Sequence, residues 1–170
     1  MHVKYQHWAV PAAYMKLFLQ NASAAGLDLA GLLQDTGLEE ETLFKTTQVV
    51  GFEALRIVLD RVTMQLGEGW HLELAERLTV PAHGALGFAV VTAPNVGAAV
   101  EVLMRYLGIR GPFLWPAGAL EGEHFVIRFY ESMNLGSVRR QLIELALLSA
   151  QGLIERSLGR EIRGARLALA

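Results

Sequence analysis

Apolar residues fall three and four apart along most of the chain up to residue 110 and then alternate one by one, so the pattern predicts helices first and strands after. PAAYMKLFLQNASAA, residues 11–25, opens with Pro11, suited to a first helical turn, and runs to Gly26, a natural stop. Asp28 is placed to cap a short helix in LAGLLQDTG that ends at Gly37, and LEEETLF reads as a further helical turn. Over 52–66, Leu55, Val58, Leu59, Val62 and Leu66 make one apolar stripe, closed by Gly67 and Gly69. A helix over 70–78 follows at once, and so short a joint forces the pair side by side or into a steep crossing. Beyond Pro81, HGALGFAVVTA is small and apolar with Gly84 and Gly87 three apart, which predicts a buried short helix approached closely by another backbone. Asn95 then caps a helix whose stripe is Val96, Ala99, Val100, Leu103 and Leu107, with Glu101 and Arg105 paired one turn apart.

From Gly111 the period changes. FLWPAGAL and HFVIRFYE, separated by Glu121-Gly122-Glu123, read as a hairpin, with Pro116 placing the first strand at an edge or bulge. In the second strand Phe125, Ile127 and Phe129 share one face, and Val126, Arg128 and Tyr130 the other. A long helix over 136–158 carries Val138, Leu142, Leu145, Ala146, Ser149 and Leu153 as its stripe and stops at Gly159. Residues 162–169 read as a last strand, parallel to the hairpin's sheet if the usual right-handed crossover applies. The expected fold is α+β: a helical N-terminal half (1–110), then a strand-strand-helix-strand unit (111–170) whose small sheet packs on helices. The two parts are expected to share one core in a single domain over 1–170. The abrupt end at Ala170 reads as a trimmed chain.

Composition narrows the functions. At 170 residues the chain is long enough for one sizeable core, and its 52% apolar content implies either a large core or an apolar surface kept for a partner. A net charge of -2 gives no basic face of the kind that neutralises phosphates along a duplex. With no cysteine there is no disulfide framework, and with no long apolar run there is no expected membrane span, so a cytoplasmic location is expected. No Gly-x-Ser-x-Gly elbow, no histidine pair at helical spacing and no lysine-bearing phosphate loop is present, so neither an enzyme nor a metal or cofactor site is expected. Glu39, Glu40 and Glu41 are adjacent on a helix surface, diverge and stay solvated. His71, among Glu73 and Glu76, sits in a setting too polar for a haem ligand, and His2 and His7 lie in the N-terminal stretch.

The remaining chemistry is a small-molecule cavity. His83, Arg105, Tyr106, Trp115, His124, Arg128 and Tyr130 are polar or aromatic residues in the apolar middle of the chain. Each has a plainer reading: a cap or core hydrogen bond for His83, an ion pair with Glu101 for Arg105, a solvated sheet face for Arg128. If the face carrying Arg128 and Tyr130 were covered, Arg128 would be a buried cation in need of an anionic partner such as a ligand carboxylate.

The stretch TVPAHGALGFAVVTAPNVGAAVEVLMRYLGIRGPF resembles the N-terminal, "arabinose-binding" type domain of AraC-family transcription regulators. The family shows Gly-x-x-Gly-Tyr-Ala, then Ser-Pro-Thr-Leu-Gly-x-Ala-Leu, then Arg-Tyr. Matching residues here are Gly84, Gly87, Phe88, Ala89, Pro94, Asn95, Val96, Gly97, Ala99, Val100, Arg105 and Tyr106, with Phe88 in place of tyrosine and Asn95 in place of threonine. The resemblance implies a ligand-sensing and dimerisation domain that binds a small-molecule effector, anionic or fatty in character. By the same resemblance it is expected to form a homodimer and to control a helix-turn-helix DNA-binding module expected to lie outside this chain. A protein-interaction module without a small ligand, and a haem-based gas sensor, are the alternatives.

Overall fold

Helices form where the apolar stripes predict them. The computed structural model of the chain describes residues 8–45, 49–164 and 166. Three-residue strands β1 (Ala9–Pro11) and β2 (Val49–Gly51) pair antiparallel, with Val10 opposite Val50. Between them run helices α1 (Ala12–Ala24), α2 (Leu29–Leu33) and α3 (Glu40–Lys45). Asp28 caps α2 as its sequence position predicts, accepting from the amides of Ala30 and Gly31 at 3.2 and 3.0 Å. After β2 come α4 (Phe52–Leu66) and α5 (Trp70–Arg77), a 3-10 turn (Val80–His83), then α6 (Gly84–Val91) and α7 (Val96–Arg110). Asn95 caps α7 through the Ala98 amide at 2.9 Å.

The expected hairpin is β3 (Leu114–Glu121) with β4 (His124–Glu131), in antiparallel register that sets Trp115 opposite Tyr130 and Gly118 opposite Ile127. Gly122, at φ +62°, takes the first place of the two-residue turn, a conformation that costs glycine little. Both strands are sheet edges, so Pro116 forfeits no pairing. Helix α8 (Arg139–Leu158), preceded by a 3-10 turn (Gly136–Val138), ends at Gly159 in the left-handed conformation. The last expected strand is not seen over residues 161–164, where the chain bends, and its remaining positions lie largely outside the described residues.

Helix α8 is the spine, packing on α5, α6 and α7. Its first half joins a large apolar cluster with α1, α2, α4 and α5, to which the residues entering β3, Phe113 and Leu114, also belong. The second half joins a smaller cluster in which Leu153 and Ile154 meet Leu86 and Val90 of α6 and Ala99 and Leu103 of α7. Each cluster draws on residues from both sides of position 110, so the change in periodicity there does not divide the core. Among the described residues no helix is long and apolar enough to cross a membrane.

Candidate functional site

Between the two apolar clusters lies a cleft of about 80 Å³, roughly half the size of an engineered cavity that holds benzene at about 150 Å³. Phe18, Leu55, Leu114 and Leu142 come to its wall from the large cluster, and Leu86, Leu103, Ala150 and Leu153 from the small one. Few polar side chains reach it: Tyr14 from α1, His83 from the 3-10 turn, Arg110 from the end of α7 and Ser149 from α8.

Three of these form a chain of contacts. Arg110 Nε donates to the Tyr14 hydroxyl at 3.4 Å, and that hydroxyl lies 3.0 Å from Nδ1 of His83. Since the hydroxyl oxygen accepts from the guanidinium, its proton is free to go to Nδ1, which leaves Nε2 as the protonated nitrogen of a neutral ring. The guanidinium also stands 4.9 Å above the Tyr14 ring and donates to the Ala82 carbonyl at 2.9 Å. Burial lowers the pKa of His83 to about 4; the Leu78 carbonyl opposes that shift, while the charges of Arg110 and Arg156 add to it. Nε2 nevertheless closes no hydrogen bond of standard geometry. Burial likewise raises the Tyr14 phenol, with Arg110 pulling the other way.

Glycine sets the position of His83. A Cβ on Gly87 would overlap the Val80 carbonyl oxygen and come within 3.1 Å of the His83 Cβ, so only glycine lets α6 press this closely on the preceding turn. Gly84, at φ +58°, makes the reversal from that turn into α6. Gly87 alone does the close-approach work that the glycine spacing predicts, and the backbone brought close is that of the histidine's own turn; Gly84 serves through its conformation.

Of the residues expected to touch a ligand, His83 lines the cleft and is 5% exposed. The others are not among the residues lining it. Arg105 is exposed on α7 and holds Glu101 at 3.0 Å, and Tyr106 beside it is exposed too. Trp115 and Tyr130 pair across the hairpin at 66% and 52% exposure. Arg128 shares their face and is held by both carboxylate oxygens of Glu121, one of them at 3.0 Å. The covered sheet face that would have made Arg128 a buried cation is therefore absent. Tyr14 and Arg110 were not anticipated. Arg110 carried a signal, because it continues the α7 stripe through Leu103 and Leu107 at the next helical interval and, unlike Arg105, has no acid one turn before it.

His71 also departs from expectation. It is 1% exposed, and its Nε2 donates to Glu144 of α8, whose other carboxylate oxygen accepts from Arg140 at 3.0 Å. Arg140 in turn reaches Glu68 at 2.7 Å. The polar setting read from Glu73 and Glu76 belongs to the exposed side of α5, away from the ring. Among the described residues no group of three or more histidine and acidic side chains is placed to hold a metal ion.

The family model for the arabinose-binding N-terminal domain of AraC transcription regulators matches residues 26–170. An ornithine utilization regulator of Pseudomonas aeruginosa is 27% identical over 146 residues, which is 85% of this chain and 41% of that protein. This chain therefore spans well under half the length of that curated relative. By the extent of the family match, over a stretch that holds Arg110, His83 and the whole of α8, the chain belongs to the arabinose-binding N-terminal domains of AraC-type transcription regulators.

Proposed function

We propose that this chain is the sensing and dimerisation part of an AraC-type regulator, that the cleft between the two apolar clusters is its effector site, and that occupancy there controls a DNA-binding module elsewhere in the full-length protein. The observation that carries this reading is the chain of Arg110, Tyr14 and His83 on an otherwise apolar wall. Ligand sites are concave and mostly apolar with a few converging polar groups, and this cleft has that make-up. His83 is the effector contact retained from the sequence. The relative's name refers to ornithine, whose ammonium groups would enter a cleft with no carboxylate among its lining residues, so a diamino acid fits this chain poorly.

The hairpin face with exposed Trp115 and Tyr130 is the surface we assign to self-association. It offers unpaired strand edges as well as aromatic area.

Thermal-shift and native mass spectrometry of the purified chain against amino acids, sugars and organic acids test the effector reading. One class should raise the melting temperature, and Ala146→Leu, which fills the cleft from α8, should abolish that response while the far-ultraviolet spectrum stays that of the parent. A ligand response that survives the filled cleft would move the effector site elsewhere. Light scattering that shows a monomer at all concentrations, for the parent and for Trp115→Ala alike, would remove the dimerisation part.

A further inference from the structure

Resting on the effector reading above, we propose that the ligand of the cleft is a short aliphatic monocarboxylate, its carboxylate held by Arg110, which Tyr14 and His83 position, and its tail lying among the leucines between the clusters.

Charge balance is the first ground. Arg56 and Arg61 are, like Arg110, half-buried, and each has carboxylates beside it: Glu53 and Asp60 for Arg56, Asp35 for Arg61. Among the described residues Arg110 has a phenol, an aromatic ring and one carbonyl, and no carboxylate. A half-buried cation without an anion is costly to keep, whereas the same cation facing a ligand carboxylate makes the stronger, charge-assisted kind of hydrogen bond.

The surroundings add positive potential instead of cancelling it. The Arg110 guanidinium lies 3.6 Å from where a Cβ on Gly84 would stand, at the start of α6, and a cation beside a helix N-terminus is disfavoured by the helix dipole. No side chain caps that end of α6. Arg156 folds back over Gly152 on α8, close enough for its charge to act on His83. No Asp or Glu lines the cleft.

A donor suited to an oxyanion is left at the same place. The guanidinium keeps Nη1 unused after its bonds to Tyr14 and Ala82, and the neighbouring His83 is neutral and buried, its Nε2 near the Leu78 carbonyl but without a bond of standard geometry. The wall behind them is hydrocarbon, so the rest of the ligand is apolar, and the volume of about 80 Å³ limits it to a few carbons. A sugar would bring several hydroxyls against leucines with nothing to bond them, and a second charge on the ligand would find no counterpart.

Isothermal titration at neutral pH with isovalerate and with its neutral isostere isovaleramide tests this, on the parent chain and on Arg110→Gln, Arg110→Lys and Tyr14→Phe. Isovalerate should bind about tenfold or more tightly than the amide. Arg110→Gln should erase that preference, Arg110→Lys should keep part of it, and Tyr14→Phe, which leaves the cation in place, should keep most of it. Equal binding of acid and amide, or acid binding indifferent to Arg110→Gln in a folded variant, overturns the carboxylate assignment while leaving the cleft as effector site. If neither probe binds but a sugar or an amino acid does so in the cleft, the class is wrong and the effector reading stands. If no probe of any class binds there, both fall.

Discussion

His71 and His83 are almost equally hidden from solvent, yet their surroundings are opposite in sign. The ring of His71 faces Glu144, and from there charges alternate outward through Arg140 to Glu68, so every ionic group near it has a counterpart. Around His83 the charges are Arg110 and Arg156, and no carboxylate acts on it. The first arrangement pairs its charges and ties α5 to α8, although Nδ1 of His71, like Nε2 of His83, closes no hydrogen bond. The second leaves two cations near the ring with no carboxylate among the groups that act on it. Burial and an open ring nitrogen are common to both; the uncompensated field makes His83 the candidate.

The contrast can be broken most severely by Gly87→Ala. The new methyl meets a backbone oxygen that cannot yield without moving the turn that carries His83, and the cost is about 3 kcal/mol of stability, the upper end for overpacking. Chemical denaturation should show that loss, with the cleft's ligand response gone and the packing of Trp70 beside His71 kept, as read by its fluorescence.

Acid separates the two histidines more finely. With its pKa in the folded state lowered from 6.5 to about 4, His83 binds its proton more weakly in the native chain than in the unfolded one. Its contribution to stability is therefore intact above pH 6.5 and is lost as pH falls from there to about 4, by about 2 to 3 kcal/mol. His83→Gln should flatten stability against pH across that window. Glu144 behaves in the related carboxylate manner: bonding to His71 first, and to Arg140, holds its pKa below the ordinary 4.5, so its contribution persists above that value and is lost as pH falls further. A slope between 6.5 and 4 that survives His83→Gln would mean that some other group titrates there.

Glu144→Ala should cost about 2 kcal/mol, since it removes a charged acceptor from a buried imidazole. That loss should leave ligand binding in the cleft untouched, and an equal loss of binding would join the two regions that the comparison holds apart. The smallest effect belongs to Arg128→Ala. Its ion pair with Glu121 is fully exposed, and the melting temperature should not move beyond measurement error.

Much of this architecture was readable along the chain. Stripes at helical spacing located α4, α7 and α8, Pro11 and Gly26 bracketed α1, and the caps at Asp28 and Asn95 formed as their chemistry demands. The ribbon of β1 and β2 was not readable, because three residues are too few to display an alternation. Among the residues lining the cleft, His83 was singled out along the chain, although beside Pro81 and Gly84 its plainer reading was a cap or core hydrogen bond. Arg110 was overlooked in favour of the more conspicuous Arg105-Tyr106, although the helical interval from Leu107 points to it. The link between His71 and Glu144 spans 73 positions and comes from the packing of α5 on α8, which no local pattern encodes.

Arg110 is also the last residue of α7, and only Gly111, Pro112 and Phe113 separate it from the first residue of the hairpin. That joint has little slack: proline fixes one of its torsions, and Phe113 and Leu114 are anchored in the core. Mechanically, the end of α7 and the first strand of the hairpin are joined in series through three residues, so a shift of that helix end is one the start of β3 must follow.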